Sequence, residues 1–157
     1  MTRAVVVLVA ASLLASVTPA AANDTSTQAS TTIRLLSTVV SHRVVDRPPK
    51  TRANKGDVVY IRDVLRNQVT QFGKPKGALV GHDSAVFRLV SATRARMTAK
   101  VTLPGGTLTV KGQIIGTTSS GVIPVVAGTG AFAGARGTCS VRDGTGYSIN
   151  VYRLRLP

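Results

Sequence analysis

From Ile33 onward the apolar residues of this chain recur at every second position, and a period of two forces extended backbone whose side chains alternate between two faces. The clearest stretch is Arg94 to Leu103. Ala95, Met97, Ala99, Val101 and Leu103 take one face; Arg94, Arg96, Thr98, Lys100 and Thr102 take the other. A helix would need its apolar residues at a spacing of 3.6, and no three-turn amphipathic helix can be drawn after the first 22 residues. Pro104-Gly105-Gly106 supplies a hairpin turn, and Thr107 to Ile115 resumes the alternation with Leu108, Val110, Gly112 and Ile114 inward.

Further extended segments follow the same logic. Ile33 to Val45 is rich in β-branched residues and ends at Asp46-Arg47-Pro48-Pro49-Lys50, which starts a polar loop. Asp57 to Leu65 is the second segment, and polar Asn67 to Lys76 connects it to the third. Ala78 to Val90 reads as one long strand or two short ones, interrupted near Gly81-His82-Asp83. Val122 to Ala127, Gly137 to Arg142 and Tyr147 to Leu156 complete the set, the last two joined by Asp143-Gly144-Thr145-Gly146. About eight strands with short turns predict an all-β protein. An eight-stranded antiparallel β-barrel is favoured, because closure removes the edges that would otherwise template aggregation. Such a barrel leaves an interior about wide enough for one small ligand.

The chain of 157 residues suits one such domain. Its first 22 residues read as a signal peptide: Arg3, an apolar run from Ala4 to Val17, a break at Thr18-Pro19, and Ala20-Ala21-Ala22 as the cleavage site. The run is shorter than a membrane span, so the expectation is a secreted protein starting near Asn23, with no transmembrane segment. Residues 23–32 read as a flexible lead-in and 33–157 as the barrel. A single cysteine, Cys139, excludes an intrachain disulfide framework. All six acids are Asp, so mechanisms that require glutamate are excluded.

Three glycine-bearing stretches, in order, carry a resemblance. They are Gly56 to Leu65 followed by Gln71-Phe72-Gly73-Lys74-Pro75-Lys76-Gly77; Leu103-Pro104-Gly105-Gly106-Thr107-Leu108 with Gly112; and Pro124 through Gly137 (PVVAGTGAFAGARG). Together they resemble the allene oxide cyclase and dirigent-like β-barrel family, in a small exported bacterial form, over Ile33 to Pro157. The resemblance implies a calycin-type barrel with a largely apolar lumen. The family's plant members are often trimers that guide ring closure or radical coupling of small hydrophobic substrates, so a homotrimer is the assembly implied. With no glutamate here, the acid associated with plant allene oxide cyclases has no counterpart, and Ala127 and Ala131 depart from the family's pattern.

Asp63 is the first candidate for chemistry, since the family often carries an acid near the second strand. It either points into the lumen, where apolar surroundings suit a proton donor or acceptor, or pairs with Arg62 or Arg66 at a rim. Asp57, Val59, Ile61, Asp63 and Leu65 share one face of that strand and Val58, Tyr60, Arg62 and Val64 the other; the alternation does not decide which is inside. Arg136 is the second candidate: it could stabilise a developing enolate or phenoxide, or tie its loop down through backbone carbonyls. Tyr60, His82, Met97 and Tyr147 are candidate ligand contacts, each with a packing or surface role as the plainer alternative. His42 and His82 have no partners at metal-ligand spacing, so neither a metal nor another cofactor is called for. Cys139 reads as a buried small apolar residue.

Charge is the remaining signal. The formal net charge is +14, and 14 basic residues crowd between Arg34 and Lys100. Aromatic residues make up 4% and Trp is absent, so specific nucleic-acid recognition through stacking is not expected. Two functions from different classes follow. One is a secreted barrel binding a small hydrophobic molecule, acting as an isomerase or cyclase if it catalyses at all. The other is a non-catalytic cationic protein adhering to anionic envelope polymers.

Overall fold

A computed structural model describes residues 30–50, 52–115 and 120–157. The stretch read as a signal peptide lies outside the described residues, as does most of the stretch read as lead-in. Eight strands follow in order: β1 (Ser30–Val45), β2 (Val58–Asn67), β3 (Leu79–Ser91), β4 (Arg94–Leu103), β5 (Gly106–Ile115), β6 (Ser120–Gly130), β7 (Arg136–Asp143) and β8 (Ser148–Arg155). Each pairs antiparallel with its sequence neighbours, and β8 pairs with β1 to close the barrel. The all-β, eight-stranded barrel expected from the alternation is the observed fold. Strand β1 starts at Ser30, inside the stretch read as lead-in, because Ser30 to Thr32 pair with Leu154, Arg153 and Arg155 of β8.

The two ends of the barrel differ. One end is packed solid by Leu35, Leu65, Val101, Leu108 and Leu154, none more than 1% exposed. Phe132 and Ala135, from the β6–β7 turn, complete this core. Each of the leucine, valine and phenylalanine side chains contributes about 1.5–3 kcal/mol through removal of apolar surface from water. Gly137 allows β7 to lie close against β8 here: a Cβ on it would overlap the Arg153 carbonyl oxygen.

Toward the other end the wall loosens. Strand β1 pairs with β8 only as far as Ser37; from Thr38 to Val45 its recorded partner is β2 alone. Strand β6 pairs with β5 between Val125 and Gly130 and with β7 between Ser120 and Val125. Pro124, which has no N–H to offer a ladder, sits at that changeover. The long β1–β2 loop at this end is held by Asp57, whose carboxylate accepts from Arg47 N (2.9 Å) and Asn54 N (2.8 Å). Those two backbone donors hold its pKa below the usual value.

Candidate functional site

The open half of the barrel encloses a cavity of about 910 Å³. Its walls come from the inward positions of successive strands: Ile61, Ala85, Phe87, Met97, Val110 and Ile123. At the mouth stand Val39, Ile115, Val122 and Tyr147, between 45% and 58% exposed except Val122 at 67%. Gln113, Asp143 and Ser148 add polar atoms there.

The floor of this apolar chamber is polar. Asp63 on β2 and Asp83 on β3 are direct cross-strand partners, and both point inward. The Ser37 hydroxyl, from β1, donates to Asp63 Oδ2 at 2.6 Å. Asp63 Oδ1 and Asp83 Oδ1 are buried without a hydrogen-bond partner among the described residues, an arrangement that costs free energy unless something polar meets them. Asp83 is 7% exposed. Burial, and then the negative charge of Asp63 facing it, push its pKa from 3.8 up to about 7.

Cys139 on β7 and Tyr152 on β8 complete the floor as another cross-strand pair. Burial raises the Cys139 pKa to about 12, even though the Tyr152 hydroxyl hydrogen-bonds its sulfur. Burial likewise lifts the Tyr152 phenol well above its ordinary range, with Cys139 and the two aspartates adding to the effect. The thiol therefore stays protonated near neutral pH and is a poor nucleophile. Among the described residues no cluster of His, Cys and Asp could hold a metal, and no helix is long and apolar enough to cross a membrane.

The sequence candidates separate cleanly in space. Asp63, Met97 and Tyr147 line the cavity. Asp63 is not paired with Arg62 or Arg66, because those arginines occupy the outward phase of β2 and are exposed. Tyr60 and His82, read as candidate ligand contacts, are not among the residues that line the cavity. Tyr60 also falls on the outward phase, 38% exposed, with the Arg43 guanidinium 5.7 Å from its ring centroid. His82 is exposed because its neighbour Asp83 takes the inward position. Arg136 sits at the packed end of the barrel, where its guanidinium donates to the Ala135 carbonyl at 2.9 Å, the second of the two roles open to it in the sequence.

Asp83 reaches the cavity floor through an irregularity of β3. The register shifts between Leu65 and Arg66, so Val80 has no direct partner on β2. The bulge switches the phase of β3, so that Val80 and Asp83 are both buried although three residues apart. Only alternation counted forward from Asp83 through Ala85 and Phe87 could have placed it inside.

The family model for dirigent-like proteins matches residues 23–155, most of the sequence. The chain belongs to the dirigent-like family. Solved structures agree with this dirigent-like chain in fold. A pterocarpan synthase dirigent protein is 21% identical over 94% of this chain and all of its own, with a TM-score of 0.61. A pyocyanin demethylase is 19% identical, covering 79% of this chain and 99% of its own, with a TM-score of 0.66. A Diels Alderase from Streptomyces koyangensis is 17% identical, covering 85% of this chain and 71% of its own, with a TM-score of 0.67. No curated protein matches the dirigent-like chain in sequence.

Proposed function

We propose that this dirigent-like barrel is an exported protein that binds one small, largely apolar molecule in its open half and steers its cyclisation or isomerisation by proton transfer at Asp63 and Asp83. The observation that carries this reading is the facing carboxyl pair on the floor of an apolar chamber. Two carboxyls so placed favour holding a single proton between them. With its pKa near 7, Asp83 can both donate and recover that proton at neutral pH.

The chemistry balances without an oxidant. Asp83 gives its proton to a carbonyl or ether oxygen of the guest, a bond closes or shifts within the guest, and a C–H or O–H of the guest returns a proton to the carboxyl pair. Ser37 holds Asp63 in one orientation through its hydroxyl, which is a positioning role. The walls contribute by confining the guest to a reactive conformer. Two structural neighbours support the class of chemistry: one is a pterocarpan synthase dirigent protein and one a Diels Alderase.

Mass spectrometry of small molecules co-purifying with the protein identifies the guest. Asp83→Asn and Asp63→Asn then keep ligand capture but lose turnover, whereas Arg136→Ala keeps both. In the unsubstituted protein, turnover that depends on Asp83 as acid falls as pH rises through about 7. Undiminished turnover in both Asn variants removes the carboxyl pair from the reaction.

A further inference from the structure

The lumen leaves the outer surface unused, and that surface is unevenly charged. On the contiguous wall β2–β5 the outward positions carry Arg62, Arg88, Arg94, Arg96, Lys100 and Lys111, all exposed. The acids on these strands, Asp63 and Asp83, both point inward, so no carboxylate on them offsets this face. Arg88 and Arg96 are direct cross-strand partners, an arrangement of like charges that is unfavourable without an anion against it. Lys111 stands opposite Thr98, between the levels of Arg96 and Lys100. Strand spacing therefore puts a cation about every 7–8 Å along β4 and β5, from Arg94 to Lys100.

We infer that this wall is a binding surface for a flexible, linear phosphodiester polymer without bases, of the polyol-phosphate type. A ladder of cations at that repeat neutralises successive phosphates of an extended chain, releasing counterions at each step. Small polar residues, among them Ser84, Thr98, Thr102 and Thr109, share the outward positions and can donate to phosphate oxygens. The exposed large apolar side chains of these strands, Tyr60, Leu79 and Ile115, lie apart on β2, β3 and β5 rather than in one patch that could insert into a membrane, and the Arg43 guanidinium lies over the Tyr60 ring. With no stacking platform, bases would add nothing. The inference is independent of the lumen: it holds whether or not the chamber performs chemistry.

The test is fluorescence anisotropy of end-labelled poly(glycerol phosphate) titrated with the folded protein across a series of salt concentrations. Parallel titrations use single-stranded DNA of equal charge and phosphatidylglycerol vesicles. The triple variant Arg88→Gln/Arg96→Gln/Lys100→Gln is expected to weaken polymer binding at least about tenfold at low salt. It is also expected to lower the slope of log affinity against log salt by about 2, at roughly 0.7 per phosphate contact. The variant Arg142→Gln/Arg153→Gln/Arg155→Gln removes the same charge from strands β7 and β8 and should change the slope by less than about half that. DNA binding within about tenfold of the polymer supports recognition through phosphates alone. Equal losses in the two triple variants overturn the inference, because net charge rather than this wall would then be responsible. So does absence of polymer binding, or a clear preference for DNA or for vesicles.

Discussion

Asp83 couples the protonation of the chamber floor to the stability of the fold. Its pKa is raised in the folded protein, from 3.8 to about 7. The folded state therefore binds the proton more tightly than the unfolded chain does. The stability this confers is complete below about pH 4 and is lost as pH climbs through about 7, a total of about 4 kcal/mol at 1.36 kcal/mol per pKa unit. Urea unfolding at pH 5 and pH 8 should show somewhat more than half of that fall, about 2–3 kcal/mol, in the unsubstituted protein and a much flatter dependence in Asp83→Asn; equal slopes in the two would contradict the assignment. Cys139 makes a second residue-level expectation. Held at a pKa of about 12 and 2% exposed, it should resist iodoacetamide at pH 8 in the native protein and react within minutes in denaturant. Rapid native alkylation would mean the floor is open where it is drawn as closed.

The connections between strands are held by side chains as much as by turns. Asn67, at the end of β2, is fully buried and donates its side-chain amide to the carbonyls of Gln71 (2.8 Å) and Lys74 (2.9 Å). Gln71 returns the contact through Asn67 Oδ1 and also reaches the Arg34 carbonyl at 2.7 Å. Asn67→Ala strands those acceptors and should cost about 2–3 kcal/mol in chemical denaturation. A loss below half that would show that the loop re-forms without it. This same scale decides what could be read in advance. Strand β4 was legible to the residue because nothing interrupts its alternation, from exposed Arg94 to buried Leu103. The inward face of β2 was not, since Val58 and Leu65 are both buried and lie on opposite phases. Strand β3 carries Asp83 beyond its bulge, so alternation counted from the start of the strand puts it on the wrong face. Pairing of Asp63 with Asp83 depends on register between strands, which composition and period leave undetermined.

At the level of the whole molecule, the solid end and the hollow end bear different loads. Filling the cavity should abolish ligand capture while leaving the core intact. Met97, inside the chamber and 8% exposed, is the position for that experiment. Met97→Trp should retain cooperative unfolding within about 1–3 kcal/mol of the original, the usual range for an enlarged core residue, yet lose the co-purifying molecule. Retention of that molecule would place the guest outside the lumen.

The split between a plugged base and an empty upper storey has an evolutionary consequence. Residues such as Leu35, Leu65, Leu108 and Leu154 anchor the architecture from below, out of reach of any guest. Substitutions along the upper wall can thus be auditioned for new cargo while the foundation stays untouched. A demethylase, a Diels Alderase and a pterocarpan synthase on one scaffold at 17–21% identity are what such a vessel, refurbished only from the brim downward, would leave behind.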